Sequence, residues 1–224
     1  MERGDRPPGS ATAYPRGEMQ IENYNIVVAG TDLPVVGVTP EDYHFLGSPL
    51  RVQTRIPPLV DARAQEFRML LTPIRAEFGV TGLPYSPENA TGVAQIVQGY
   101  LARLEFPIVT GMGHNLRVSL EPDELPAESL LNDVIQIERI ARILQVDDTE
   151  GGDVAVVFRH GDARCTVRLS ISEQSLVRLD FNYHFAITNL ANPIERLAIL
   201  FLDSLNNALV RAHSLSTLAV EGIR

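Results

Sequence analysis

The stretch that decides the fold, Val154 to Ile187, reads VAVVFRHGDARCTVRLSISEQSLVRLDFNYHFAI. From Leu176 to Ile187 apolar residues alternate with polar ones, a period of two that is typical of a strand with one buried face. Two further strands, Val154 to His160 and Arg164 to Ile171, precede it, and the Gly-Asp pair between them suits a two-residue hairpin turn. The sequence therefore predicts a three-stranded antiparallel meander.

The register of the meander follows from keeping every apolar side chain on one face, because a slip by one residue would turn them all to the other. Across the hairpin this predicts three pairs: Phe158 with Cys165, Val156 with Val167, and Val154 with Leu169. A five-residue loop before the third strand adds two more, Val167 with Phe181 and Arg168 with Asp180. Cys165 is therefore expected to be a buried, unreactive thiol.

Three stretches have the three-and-four spacing of an amphipathic helix. The first begins with Ser86 as N-cap and Pro87 after it, and it extends to Leu104. The second runs from Leu130 to Leu144, and the third follows Asn192. The predicted fold is therefore α+β: an antiparallel sheet, including the meander, packed against about three amphipathic helices.

The first half of the chain is harder to assign. Strands are predicted over Ile21 to Ala29 and over Leu50 to Ile56. Glu66 to Phe78 is interpreted as a single strand with a kink at Pro73, at an edge of the sheet. Thr31 to Ser48, which glycines and prolines punctuate, is interpreted as a long surface connection.

Residues 19–224 are expected to form a single α+β domain. Residues 1–18 contain three arginines and three prolines but no apolar run, which predicts a flexible N-terminal tail. Both halves, about 19–122 and 123–224, can be written as strands followed by an apolar helix. Two related halves are thus an open alternative, although no residue motif is shared between them.

Composition narrows the classes of function. A formal net charge of −9 disfavours general attraction to nucleic acid or to anionic membranes. No run approaches the roughly 18 to 20 apolar residues of a membrane span. Cys165 is the only cysteine, which excludes a disulfide framework or a zinc site of several thiolates and fits a reducing compartment. We expect a soluble, cytoplasmic protein with no cofactor and no metal.

A polar constellation lies on the second face of the meander. The candidate residues are Arg168, Arg178, Asp180, Asn182 and His184. Residues two apart on a strand share a face, so these groups are suited to bind an anion, or Asp180 is suited to orient His184 as a general base. The simpler interpretation is the solvated face of an antiparallel sheet. The sequence leaves both open.

The helix after Asn192 has apolar residues on more than one side, which is typical of a helix that is covered twice or that meets a partner. Its candidate interface residues are Ile199, Phe201 and Leu202. A meander followed by a long apolar helix is similar to chaperone-like and assembly modules, although no residue motif supports naming a family.

Familiar catalytic motifs are missing from the sequence, including the nucleophile elbow, the phosphate-binding loop and paired histidines at helical spacing. Catalysis is therefore disfavoured but not excluded. We expect a non-catalytic protein-interaction or assembly module that associates with itself or with a protein partner. The alternative is an enzyme or a small-anion-binding protein that uses the polar sheet face around Asp180 and His184.

Overall fold

A computed structural model describes residues 19–104, 108–120, 153–171, 177–187 and 194–221. The elements in chain order are β1 (Gln20–Thr31), a 3-10 turn (Pro40–Asp42), β2 (His44–Phe45), β3 (Ser48–Pro49), β4 (Arg51–Ile56), β5 (Leu59–Ala64), β6 (Phe67–Thr72), β7 (Arg75–Thr81), α1 (Pro87–Ala102), β8 (Ile108–Leu120), β9 (Asp153–His160), β10 (Ala163–Ile171), β11 (Val177–Ala186), α2 (Ile194–Ile199) and α3 (Phe201–Glu221). The predicted tail at 1–18 lies outside the described residues.

Nine of the described strands form one sheet, in the order β4-β5-β6-β7-β1-β8-β11-β10-β9, and every neighbouring pair is antiparallel. The central pair is β1 and β8. On one side of it, a meander of β4 to β7 runs from the edge of the sheet to β1. On the other side, a meander of β9 to β11 runs from the opposite edge to β8. The order β1-β7-β6-β5 thus matches β8-β11-β10-β9, and a helix follows each meander. Duplication of the two halves stays a prediction.

The core lies between one face of the sheet and the long helices. α1 packs on β1 and β7, α3 packs on β8 and β11, and the two helices touch each other. Alternate residues of the central strand, Tyr24, Ile26 and Val28, are completely buried. Burial of side chains of this size contributes about 1.5 to 3 kcal/mol each. The antiparallel α+β class predicted from the sequence is therefore confirmed.

The register predicted for the meander is confirmed at all five pairs. β9 and β10 align Phe158 with Cys165 as expected, and β10 and β11 align Arg168 with Asp180. The predicted start of the first helix is also confirmed, because the Ser86 Oγ accepts a hydrogen bond from the backbone N–H of Asn89 at 3.1 Å. Both predictions rest on interactions between residues that are close in sequence.

The prediction of one kinked strand over Glu66 to Phe78 is wrong. The segment forms two strands, β6 and β7, joined by a tight turn at Pro73 and Ile74. The Thr72 Oγ closes this turn, since it accepts the Arg75 N–H at 3.0 Å and donates to the Arg75 carbonyl at 2.9 Å. Proline favours a turn at this place because its ring fixes φ at the value that the second position of a common turn requires. Both strands are internal, not at an edge.

Strand β5 has no counterpart in the sequence-based assignment. It begins directly after two prolines, and it includes Asp61, a residue that strands disfavour. Asp61 is buried because Arg68 on β6 donates hydrogen bonds to both carboxylate oxygens, the shortest at 2.8 Å. Those hydrogen bonds hold the pKa of Asp61 below its usual value, which keeps the carboxylate charged.

The expected count of about three amphipathic helices is not matched. In the part of the chain that the structure describes, two long helices, α1 and α3, pack on the sheet. The third helix, α2, is short and ends just before Leu200, ahead of α3. The predicted helix from Leu130 to Leu144 and the predicted cap at Asn192 lie outside the described residues.

The interpretation of Thr31 to Ser48 as a surface connection is correct only in part, because many of its residues are exposed but others are not. The segment buries four large side chains, Leu33, Val35, Tyr43 and Phe45. The ring of Phe45 stacks on the ring of Phe67 in β6, with centroids 4.8 Å apart. The segment is therefore part of the core.

Two glycine-to-alanine substitutions should have opposite effects on stability. A Cβ at Gly79 in β7 would lie 2.5 Å from the Cβ of Asn25 on β1, so Gly79→Ala should lower the free energy of unfolding by about 1 to 3 kcal/mol. A Cβ at Gly99 in α1 would lie 3.7 Å from Tyr43, an ordinary contact, so Gly99→Ala should raise it by about 0.5 to 1 kcal/mol. Urea unfolding measures both; equal effects would contradict the packing described here.

Candidate functional site

The face of the sheet opposite the helices carries a row of side-chain amides. Asn182 of β11 donates to Asn115 of β8, which donates to Asn25 of β1 at 2.6 Å. Asn25 in turn donates to Glu77 of β7 at 3.1 Å, and Arg75 donates to the other oxygen of Glu77 at 2.9 Å. One line of hydrogen bonds therefore crosses four neighbouring strands.

A second row, of alternating charge, runs beside the amides. Arg117 of β8 donates to Asp180 of β11, and its Nε lies 4.0 Å from a Glu22 oxygen. Arg178 of β11 reaches the other oxygen of Glu22 at 3.3 Å. The hydrogen bond with Asp180 raises the pKa of Arg117 and secures its positive charge. The charges of this row thus offset one another.

The five candidate residues on this face share it, but four of them are already paired with different neighbours. Arg168 lies 3.1 Å from Asp153, Arg178 binds Glu22, Asp180 binds Arg117, and Asn182 binds Asn115. Asp180 and Arg168 lie opposite each other in the register. The Asp180 carboxylate nevertheless pairs with Arg117, and the Arg168 guanidinium pairs with Asp153. Asp180 therefore does not act as the orienting partner of His184 in this arrangement.

His184, the fifth candidate, is exposed and lies over a glycine. A Cβ added to Gly111 of β8 would lie 3.0 Å from the His184 Cε1. The glycine therefore leaves room for the imidazole to lie flat against the neighbouring strand. This space accommodates the ring, but it does not by itself place another side chain beside His184 that could bind a ligand together with it.

The three candidate interface residues occupy different environments. Ile199, the last residue of α2, is 57% exposed, whereas Leu202 is partly buried. Phe201 is completely buried, with its ring centroid 6.3 Å from that of Tyr24 and 5.2 Å from that of His114. Of the three, Ile199 alone is well exposed to a partner.

A further exposed apolar surface lies on β9, and the sequence analysis did not identify it. β9 is the last strand of the sheet, and no described strand pairs with its outer edge. Val156 and Val157 are 55% and 51% exposed and project from opposite faces of β9. Val157 was the available signal, since it places a valine at a position where the alternation predicts a polar residue.

The opposite edge of the sheet, β4, differs in character. Its pairing with β5 is interrupted by a bulge between Val52 and Thr54, and Pro57 and Pro58 follow its last residue. Arg55 of β4 donates to the Val38 carbonyl at 3.2 Å, which ties the edge to a neighbouring segment. Bulges, charges and prolines are the usual means of protecting an edge strand from another chain.

A buried histidine and serine join β8 to α3. The His114 Nδ1 lies 2.9 Å from the Ser204 Oγ, and the ring lies between Phe185 and Phe201. Its Nε2 has no hydrogen-bond partner of good geometry, although the Leu197 carbonyl is near enough to favour the protonated ring slightly. Burial dominates and lowers the pKa of His114 from 6.5 to about 3.

This pair does not form a nucleophile with its base. In a catalytic triad a carboxylate orients the second nitrogen of the histidine, and here that nitrogen is unsatisfied.

Beside the pair of His114 and Ser204, a cavity of about 370 Å3 lies between the turn of β9 and β10 and the start of α3. Its polar wall includes His160, whose Nε2 lies 2.9 Å from Asp203. That contact ties the hairpin to the helix.

Within the described ranges there is no group of three or more His, Cys, Asp or Glu side chains that could hold a metal ion. Cys165 is buried, as its position in the register predicts, and desolvation raises the pKa of its thiol.

Among the described helices, none is long and apolar enough to cross a membrane. No protein-family model matches the chain, and neither does any curated protein sequence.

The low pKa of His114 makes stability depend on pH. Below about pH 6.5 the unfolded chain takes up a proton at this ring, whereas the folded chain does not until about pH 3, so stability is lost as the pH falls through this window. Between about pH 6.5 and about pH 5 this loss of stability amounts to about 1.5 kcal/mol. Urea unfolding at those two pH values should show a smaller loss for His114→Gln than for the wild type. Equal losses would mean that His114 is readily protonated in the folded state.

Proposed function

We propose that this protein is a non-catalytic interaction module that self-associates by pairing β9 with β9 of a second copy. The observation that carries the proposal is the open outer edge of β9 in the described sheet. The strand, DVAVVFRH, contains no proline and no bulge, two of the features that protect such an edge. The proposal includes a cytoplasmic location, which the single, buried thiol of Cys165 supports.

A two-fold axis makes antiparallel pairing of identical strands self-complementary. The same backbone groups of both copies then donate and accept across the interface, and the contact closes as a dimer. Val156 and Val157 would each gain a cross-strand neighbour, on opposite faces, from the second copy. Such pairing adds main-chain hydrogen bonds and removes apolar surface from water at the same time.

The contrast between the two edges supports β9 over β4 as the interface. β4 combines a bulge with a hydrogen bond from Arg55 to the Val38 carbonyl. β9 is regular along all eight pairs that it makes with β10. A regular, β-branched edge is the better template for another strand.

A second apolar surface is compatible with a protein partner at the helices. Ile199 at the end of α2 and Val210 on α3 are 57% and 65% exposed. They are single exposed residues, and the described structure gives them no backbone edge to pair with. We therefore assign self-association to β9 and treat Ile199 as the matched comparison.

The alternative function, an enzyme or anion-binding site on the polar sheet face, has weaker support. Its favourable feature is the shared face of Arg178, Asp180 and His184. Against it, the two arginines among the five candidates are already paired with Glu22 and Asp153, and an added anion would have to compete with these carboxylates. The alternative expects that phosphate binds and shifts the NMR signal of His184.

Size-exclusion chromatography with light scattering tests the proposal directly. The wild type should be a dimer, and Val157→Lys should be a monomer with an unchanged circular dichroism spectrum. Val157 is about half exposed, so the lysine disturbs little of the core, while in a dimer it would set like charges close together across the axis.

Two control variants distinguish the surfaces. Ile56→Lys, at the β4 edge, and Ile199→Lys, on α2, change apolar residues that are at least as exposed as Val157, and both variants should leave the dimer intact. A wild type that stays monomeric at high concentration would reject self-association. Dissociation by Ile199→Lys together with no effect of Val157→Lys would move the interface to the helices.

A further inference from the structure

We infer that β9 pairs with β9 of a second copy in one register, centred on Val156, in which Asp153 of each copy lies opposite Arg159 of the other. This register rests on the self-association proposed above, and it specifies which residues of the two copies meet. The backbone groups and the charges along the open edge of β9 both favour it.

The backbone groups of β9 point alternately towards β10 and towards the open edge. In antiparallel strands, hydrogen-bonded and non-hydrogen-bonded pairs alternate, and the pair that flanks a two-residue hairpin turn is hydrogen-bonded. His160 and Ala163 are that pair, so the N–H and C=O groups of His160 point towards β10. The residues whose backbone groups point outward are therefore Asp153, Ala155, Val157 and Arg159.

A two-fold axis restricts how these outward groups can meet. Residues opposite each other in a continuous antiparallel sheet project from the same face, so the axis lies level with a residue and not between two. With the axis level with Val156, Ala155 lies opposite Val157, and every outward residue has a partner. Asp153 then lies opposite Arg159 of the second copy. An axis level with Ala155 or Val157 instead leaves one charged residue of each strand without an opposite residue in the partner strand.

Arg159 faces a like charge within its own copy. It lies directly opposite Arg164 of β10 in the register, and both side chains are exposed. Neither arginine forms an ion pair with the described residues. Like charges directly opposite each other on neighbouring strands are destabilising. A carboxylate from a second copy, placed beside Arg159, would offset this repulsion.

Asp153 supplies such a carboxylate at the other end of the strand. Its side chain is 55% exposed, and one of its oxygens lies 3.1 Å from the Arg168 Nε. A carboxylate has two oxygens and can accept from more than one guanidinium. Asp153 can therefore bind Arg159 of the second copy while it keeps its contact with Arg168. Because the two-fold axis repeats every contact, the interface contains this ion pair twice.

The side chains between the charges fit the same register. On the face with the charges, the small Ala155 lies opposite Val157 of the second copy. On the face towards the helices, Val156 lies opposite itself at the axis, and Val154 lies opposite Phe158. Pairs of β-branched and aromatic residues are among those that stabilise neighbouring strands. The exposed valines of β9 are thus covered without placing a charge opposite an apolar residue.

Charge reversal in the full chain tests the register. Asp153→Arg and Arg159→Asp each replace both attractive contacts with repulsive ones, so each should raise the dissociation constant of the dimer about ten-fold or more. The double variant restores opposite charges in exchanged positions and should recover most of the lost affinity. Analytical ultracentrifugation measures the dissociation constant, and circular dichroism verifies the fold.

The chain offers a control for the effect of total charge. Arg51→Asp changes an exposed arginine of the β4 edge and should leave the dissociation constant unchanged. Asp153→Arg makes the chain less negative than its formal net charge of −9, so net charge alone would favour association of this variant. Weaker association of Asp153→Arg therefore reports the local contact with Arg159.

Oxidative cross-linking of cysteine variants measures the register by a second route. Val156→Cys places two thiols opposite each other at a non-hydrogen-bonded pair, where the Cα atoms are about 4.5 Å apart, within the range of a disulfide. Val157→Cys places them diagonally, roughly 7 to 8 Å apart, so it should cross-link much less. The native Cys165 is buried, and the unmodified chain serves as the blank.

The outcomes separate the register from the proposed function. A dimeric wild type that neither single reversal weakens would overturn the register but leave self-association in place. A double variant that binds no better than the single variants would do the same, as would stronger cross-linking by Val157→Cys than by Val156→Cys. A wild type that stays monomeric at high concentration would reject the proposed function, and the register with it.

Discussion

The antiparallel pairing of β1 with β8 is the interaction on which the rest of the structure depends. Neither meander closes on itself, because the innermost strand of each needs a central strand as its partner. The helices reinforce the same junction: Phe201 of α3 contacts Tyr24 of β1 as well as His114 of β8. The buried residues in the described part of the chain therefore form one core that spans both halves.

The polar face shows how the side chains of a sheet can be satisfied by one another across neighbouring strands. Asn25, Asn115 and Asn182 occupy one level of three adjacent strands, so each amide meets a neighbour that accepts what it donates. Gly79 and Gly111 leave room for side chains of the neighbouring strands, Asn25 beside Gly79 and His184 beside Gly111. We interpret the side chains of this face mainly as stabilising the pairing of neighbouring strands. His184 is the residue of this face that takes least part in that pairing.

The sequence predicted those parts of the fold that depend on local pattern. The Ser86 cap follows from residues close in sequence and the meander register from strands that follow one another directly in the chain, and both predictions were correct. It could not predict which strands come together across the chain. Arg168 was correctly set opposite Asp180, yet Asp180 binds Arg117, because β8 approaches β11 from the other side. Turn chemistry at Pro73 was missed for a different reason, since a proline within an apolar run fits both a kink and a turn.

The candidate surfaces were predictable to a lesser degree. The apolar stripe after Asn192 was visible in the sequence, but the direction of each side chain depends on how α3 lies on the sheet. Phe201 consequently belongs to the core and Ile199 to the surface.

The place of β8 in the sheet has a consequence for the chain while it is being made. β1 and β7 are complete before β8 emerges, so one edge of β8 finds its partner at once. The other edge waits for β11, and residues 121–176 must be translated first. At roughly 5 to 20 residues per second this takes several seconds. During that interval one edge of β8 has no partner strand, so the growing chain is open to wrong strand pairing at this edge until β11 has been made.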